Sequence, residues 1–175
     1  YEYAQSGQNF AIPIGASLPA RGDGFTSASL RPEKVRTIVK EGVTYTSAVN
    51  VFDSFARSTD VTRSNSNGFS KTERLVYADN TSKWVVGQLA SQTDVATNQV
   101  EQSNTYDAVT ANLVSKWAFG VLQESYTYNA DGTLATVKDG KNNTYTLSSW
   151  MRGIPQSIKA PDDTIQSGVV NNSGW

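Results

Sequence analysis

The chain has 175 residues, 15 basic and 16 acidic side chains, 38% hydrophobic residues, and neither Cys nor His. That size suits one domain or a slice of a larger one, and the missing residues exclude disulfides, thiolate nucleophiles, imidazole bases and zinc sites built on Cys or His. A net charge of −1 offers no overall field to hold a polyanion, so nucleic acid is not an expected partner.

Residues 1–32 read as an irregular N-terminal segment, because Pro13, Pro19, Pro32, Gly15, Gly22 and Gly24 punctuate them too often for a regular element. Arg21-Gly22-Asp23 matches a tripeptide known from integrin ligands, and a charged turn explains it as well. The apolar run Phe10–Ile14 is short, is broken by Pro13 and follows no basic residue, so it reads neither as a signal peptide nor as a membrane span. A first residue that is Tyr rather than Met reads as a piece of something longer.

From Glu33 onward the Val, Thr, Tyr and Trp content favours strands, and the expected class is all-β. Lys34–Val39 and Val43–Val49 form a predicted hairpin around Gly42. Phe52–Phe55 turns into a strand at Ser58–Arg63, and Ser64–Gly68 turns again into a long strand over Phe69–Tyr77 that ends at Asp79-Asn80. Thr93–Leu113 is ambiguous between a loop with short strands and one helical turn near Asp107–Leu113. Further on, the Asp131-Gly132 and Asp139-Gly140 turns bracket the strand Thr133–Lys138, and positive φ is expected at these glycines.

An S-x-W-x-x-G hexad occurs three times: Ser82–Gly87 with Trp84, Ser115–Gly120 with Trp117, and Ser148–Gly153 with Trp150. By residue number the copies stand 33 apart, a period within 82–153 that suits a strand-based repeat, since the turn chemistry argues against helical arrays of similar length. A Trp at one phase of a repeat packs against its neighbour or, in the sharper reading, offers a row of rings to sugars.

Tyr126-Thr127-Tyr128-Asn129-Ala130-Asp131-Gly132-Thr133-Leu134-Ala135-Thr136-Val137 resembles the YD repeat of the RHS family, approximately Y-x-Y-D-x-x-G-x-L-x-x-V. Asn129 stands where the family commonly has Asp. Val51–Val61, with Phe52, Asp53 and Ala56 before Arg57, looks like a second copy; Phe52 replaces Tyr and Ala56 replaces Gly. Val76–Asn80 with Tyr77, running into Lys83–Gly87, resembles a third, and Arg152–Ile158 followed by Pro161–Thr164 has the same character. The resemblance covers roughly residues 33–175, without a visible match over about 93–113.

The resemblance implies antiparallel β-hairpin repeats forming part of a curved, spiralling shell that encloses a toxin or effector domain of a larger secreted protein. It implies a secreted or cell-surface location, bacterial and delivered by a secretion system, with the adjoining repeats and the encapsulated effector domain as partners. The residues expected to carry the repeat are Phe52, Asp53, Tyr77, Trp84, Gly87, Trp117, Gly120, Tyr128, Asp131, Gly132, Trp150 and Gly153. Within that frame the motif Tyr packs over a neighbouring hairpin and bonds through its hydroxyl, while Asp53 and Asp131 accept turn amides. No effector domain and no D-P-x-G boundary segment is visible in the sequence.

Chemistry has little footing in this pattern. Asp162-Asp163 would point to opposite faces of a strand, and no spacing predicts two carboxyls across one cleft. Neither a Ser–Lys helix element nor a phosphate loop is present, so no enzyme and no cofactor are expected. The Asn129–Gly132 and Asp139–Asn142 turns lack calcium-loop spacing. Asn80, Asn142 and Asn171 head triplets that fit N-glycosylation in a eukaryotic secretory setting. The alternative to the shell is an extracellular adhesion or carbohydrate-binding module that uses the Trp series, with glycans as its partner.

Overall fold

The computed structural model describes residues 1–4, 7 and 32–173, so Arg21-Gly22-Asp23 and most of the predicted irregular segment lie outside the described residues. All regular structure among the described residues is β. Thirteen antiparallel strands follow one another in chain order through one sheet. They are β1 (Glu2–Tyr3), β2 (Glu33–Lys40), β3 (Val43–Phe52), β4 (Ser58–Asn65), β5 (Ser70–Asn80), β6 (Val85–Asp94) and β7 (Gln99–Tyr106). β8 (Leu113–Ala118), β9 (Val121–Tyr128), β10 (Leu134–Asp139), β11 (Thr144–Met151), β12 (Ile154–Lys159) and β13 (Ile165–Ser167) complete the series.

Contacts divide the chain into two units, one comprising Tyr1–Val76 with Gln92–Gln99 and the other Tyr77–Ser91 with Val100–Trp175. In the first unit, β2 and β3 pair over six positions, from Val35↔Ala48 to Lys40↔Val43, and β3 continues into β4 from Tyr45↔Asn65 to Phe52↔Ser58. Bulges near Val51 accommodate the end of β3, where Phe52 is 2% exposed against Ala4, Val49 and Ala56. Ala4 is tied to this corner by its amide, which donates to the Pro32 carbonyl at 2.9 Å.

In the second unit the strands repeat hydroxyl rows across the sheet. Thr105 faces Ser115, which faces Ser125; Thr127 faces Thr136, which faces Thr146; Ser148 faces Ser157, which faces Ser167. Adjacent hydroxyls in these rows hydrogen-bond at 2.7 Å for Thr105 with Ser115 and 2.6 Å for Thr127 with Thr136. Such strands satisfy their polar side chains along the row, including Ser115, which is buried. The buried apolar residues are correspondingly few: Ala4, Phe52, Val61, Ala111 and Val170, and no large side chain among the described residues is completely buried.

Two turn designs join most of the strands, the connections from β5 to β8 being different. Glu41-Gly42, Phe119-Gly120 and Arg152-Gly153 hold positive φ at both central residues, the geometry of a type I′ hairpin whose twist matches the flanking strands. In the longer design, the first residue donates its amide to the fifth residue's carbonyl, and the fourth donates back to the first. It recurs at Asp53–Arg57, Asn65–Phe69, Asn129–Thr133, Asp139–Asn143 and Ala160–Thr164. The fourth residue of this design has positive φ: Ala56, Gly68, Gly132, Asn142 and Asp163 in turn.

That design corrects one expectation. In the Asp139-Gly140 turn Asn142 takes φ +70, and Gly140 is needed for another reason: a Cβ there would lie 2.3 Å from the Leu122 carbonyl oxygen in β9. The ambiguous stretch also resolves. Thr93–Leu113 holds the end of β6, a turn, all of β7, and one i→i+4 bond from the Ala111 amide to the Asp107 carbonyl, so the helical signal there amounts to a single α-turn.

Candidate functional site

The residues that the sequence singles out lie at strand ends and turns. Phe52 ends β3, Tyr77 lies near the end of β5, Tyr128 ends β9 and Trp150 is one residue from the end of β11. Tyr106 ends β7 in the same way and was missed, although its signal was present as the pair Tyr106-Asp107. An aromatic side chain therefore occurs near the C-terminal end of every odd-numbered strand from β3 to β11.

In the second unit three of these aromatics make the same bond. Tyr106 donates its hydroxyl to the Leu89 carbonyl of β6 at 2.9 Å, and Tyr128 donates to the Leu113 carbonyl of β8 at 2.9 Å. Trp150 donates its indole Nε1–H to the Leu134 carbonyl of β10 at 3.0 Å. Each donor reaches a leucine carbonyl in the preceding strand, and the three donors stand 22 residues apart by number. A carbonyl covered by a ring and left without a partner would carry a desolvation cost, so a ring that donates both covers the neighbouring hairpin and satisfies its backbone. Asn104 adds a second donor to the Leu89 carbonyl at 2.8 Å.

The three tryptophan hexads do not sit alike. Ser115–Gly120 and Ser148–Gly153 each end a strand and enter a type I′ turn through Gly120 and Gly153. In Ser82–Gly87, Trp84 lies in the turn before β6 with φ +55 and is 72% exposed, while Gly87 lies inside β6 with its amide on Asp79 Oδ1. Trp117 is half-buried and donates Nε1–H to Ser115 Oγ at 2.8 Å.

The acidic residues of the motif serve the turns. Asp53 Oδ1 accepts the Phe55 and Arg57 amides at 2.9 Å each, and the same carboxylate pairs with the Arg57 guanidinium. Asp131 Oδ1 accepts the Thr133 hydroxyl and amide, and the hydroxyl first and then the amide hold its carboxyl below the usual range. Asp107 does likewise, held low chiefly by the Thr110 amide and then by that residue's hydroxyl.

In the second unit one titratable cluster stands apart from the turns. Lys116 and Glu124 face each other across β8 and β9, with Nζ 3.1 Å from Glu124 Oε2 and 5.4 Å from the centre of the Tyr126 ring, and Tyr126 donates its hydroxyl to the same carboxylate oxygen. Burial first, and then Glu124, push the Tyr126 hydroxyl upward, while the Tyr126 bond and then Lys116 hold Glu124 low. The arrangement keeps Glu124 ionised and Tyr126 protonated, which suits a cross-strand ion pair and not a nucleophile with its base. Among the described residues no group of three or more acidic side chains gathers as a metal site, and no helix is long and apolar enough to cross a membrane.

No family model matches the chain, and no curated protein matches it.

Proposed function

We propose that the chain is a non-catalytic structural segment of an RHS/YD-repeat shell that encapsulates a toxin or effector domain of a larger secreted protein. The observation that carries this reading is the set of equivalent bonds from Tyr106, Tyr128 and Trp150 to leucine carbonyls of the preceding strands. A wall one sheet thick has no second layer to bury its hairpin ends, so each hairpin needs a tether to the one before it. Aromatic tethers of regular spacing, hydroxyl rows and a sparse apolar core all suit that task.

The adhesin reading draws on Trp84, which is mostly exposed. Trp117 and Trp150 commit their indole N–H groups to hydrogen bonds with Ser115 and Leu134, which favours packing over a row of free rings.

The test is electron microscopy and limited proteolysis of the natural polypeptide that carries these residues. A hollow closed particle with a protease-protected internal domain is the expected result. A solid particle or an open rod, with every other domain equally cleavable, overturns the proposal.

A further inference from the structure

In the first unit the strand register sorts charge by face. Arg36, Ser47, Arg63 and Lys71 stand opposite one another in a single row across β2, β3, β4 and β5. The next row toward the hairpin tips holds Ile38, Tyr45 and Asn65, and Phe69 closes it, since the Asn65 amide donates to the Phe69 carbonyl at 2.9 Å. Lys34 and Lys40 alternate onto the same face of β2 as Arg36 and Ile38. Within this unit Glu73 is the acidic residue that β2–β5 place there; Asp79, in phase with it on β5, belongs to the second unit. Glu73 is 12% exposed and held by Arg63, Lys71 at 3.0 Å and Gln92 at 2.9 Å. Asp60, opposite Arg74, and Glu33, in phase with Val35, belong to the other face, although Glu33 reaches Arg36 as an ion pair.

Tyr45 and Phe69 are 46% and 71% exposed, and with Arg63, Asn65 and Lys71 they line a shallow cleft of about 340 Å³. Asn65 Oδ1 accepts the Asn67 and Phe69 amides and the next residue, Ser66, accepts the Thr44 amide on its Oγ, while Ser64 and Ser70 complete the lining. What the cleft presents is two ring faces beside a row of cations.

We infer that this face binds single-stranded nucleic acid. Bases stack on Tyr45 and Phe69, and phosphates run along Arg36, Arg63 and Lys71 with Lys40 beyond. Stacking needs only a π-face, which every base has, and cations beside the rings track the backbone. The two rings lie two strand spacings apart, about 10 Å, a span that an extended strand covers with adjacent or alternate nucleotides. The whole-chain charge hides this face because most acids of the unit lie in turns or on the opposite side. The inference is independent of the shell proposal and survives or fails without it.

The test is fluorescence anisotropy of a labelled oligothymidine of about 12 nucleotides, titrated with the full chain at roughly 50 mM salt. Tyr45→Ala and Phe69→Ala are each expected to weaken binding about tenfold. Lys71→Ala should lower the slope of log affinity against log salt by about 0.7. Both rings are exposed, and an unchanged far-ultraviolet dichroism spectrum confirms that the variants fold. Heparin affinity that the two ring variants leave unchanged supports a role for stacking. The inference is overturned if no saturable signal appears up to roughly 100 µM, or if both ring variants bind the oligonucleotide within twofold of the parent chain. It is equally overturned if phosphatidylserine vesicles, and not the oligonucleotide, show the dependence on Tyr45 and Phe69.

Discussion

The two units anchor the same position of the hairpin by different means. At the end of β3, Phe52 has no polar atom and is secured by burial against Ala4, Val49 and Ala56. At the ends of β7, β9 and β11, half-buried Tyr106, Tyr128 and Trp150 are secured by a hydrogen bond to a leucine carbonyl. Where the chain returns to cover a strand end, a plain hydrophobe suffices; where it does not, the ring carries a donor. A hydroxyl added to the Phe52 ring would need a partner of its own in that tight corner.

The contrast can be broken most forcefully at Phe52. Phe52→Ala should destabilise the first unit by about 3 kcal/mol, read as a lower urea midpoint for its amides in hydrogen exchange, with the amides of β9–β13 changed far less. Equal loss in both units would show that they unfold together and that the comparison has no energetic content.

Next comes Gly140→Ala in the second unit. The added Cβ meets the Leu122 carbonyl at 2.3 Å, and displacing backbone at that contact should lower stability by about 2 kcal/mol in equilibrium unfolding. Gly153→Ala, which meets no atom within 4 Å but must hold φ +77, should cost about 1 kcal/mol.

The tethers themselves are tested by Tyr128→Phe, which removes the bond to Leu113 and leaves the ring. A loss of about 1 kcal/mol is expected, and Tyr106→Phe should cost less, because the Leu89 carbonyl keeps Asn104 as a donor. A null result at both would reduce the tether to packing.

The smallest effect separates four of these acids by the origin of their acidity. Arg74 holds Asp60 low through its hydrogen bond, and for Glu73 the upward push of burial is outweighed by Lys71 and Arg63. In the second unit Asp131 and Asp107 are held low by neutral donors of Thr133 and Thr110. All four have folded values below their unfolded ones, so the stability they contribute is present above about pH 4 and is lost as pH falls through the folded values. High salt screens the cation-based shifts and spares the others. Carboxyl resonances titrated by NMR in roughly 1 M NaCl should therefore move toward ordinary values for Asp60 and Glu73, and hold for Asp131 and Asp107.

Strand content and most boundaries were legible because alternation and turn residues are local signals. β2, β3 and β10 begin and end within a few residues of their predicted limits. β7 was obscure for a physical reason: Gln99–Tyr106 is polar on both faces, with Gln102, Ser103 and Asn104 paired to Ala118, Trp117 and Lys116, so no hydrophobic alternation marks it. The tryptophan hexads were conspicuous as letters, yet position in the hairpin decides what a Trp does, and Trp84 falls on a turn while Trp150 falls on a strand. The spacing that the backbone obeys runs through Tyr106, Tyr128 and Trp150, and it was masked because two residue types fill one role. The charge sorting of β2–β5 depends on register, which is set by pairing between strands and cannot be read from one strand alone.

The strict succession of strands through the sheet has a kinetic corollary. Every strand finds its partners in the segments just before and just after it, so the loops to be closed are short and contact order is low for a β-protein. A polypeptide of this kind can zip up progressively as it leaves a ribosome or a narrow export pore, each new hairpin templated by the free margin of the last, without waiting for distant sequence to arrive.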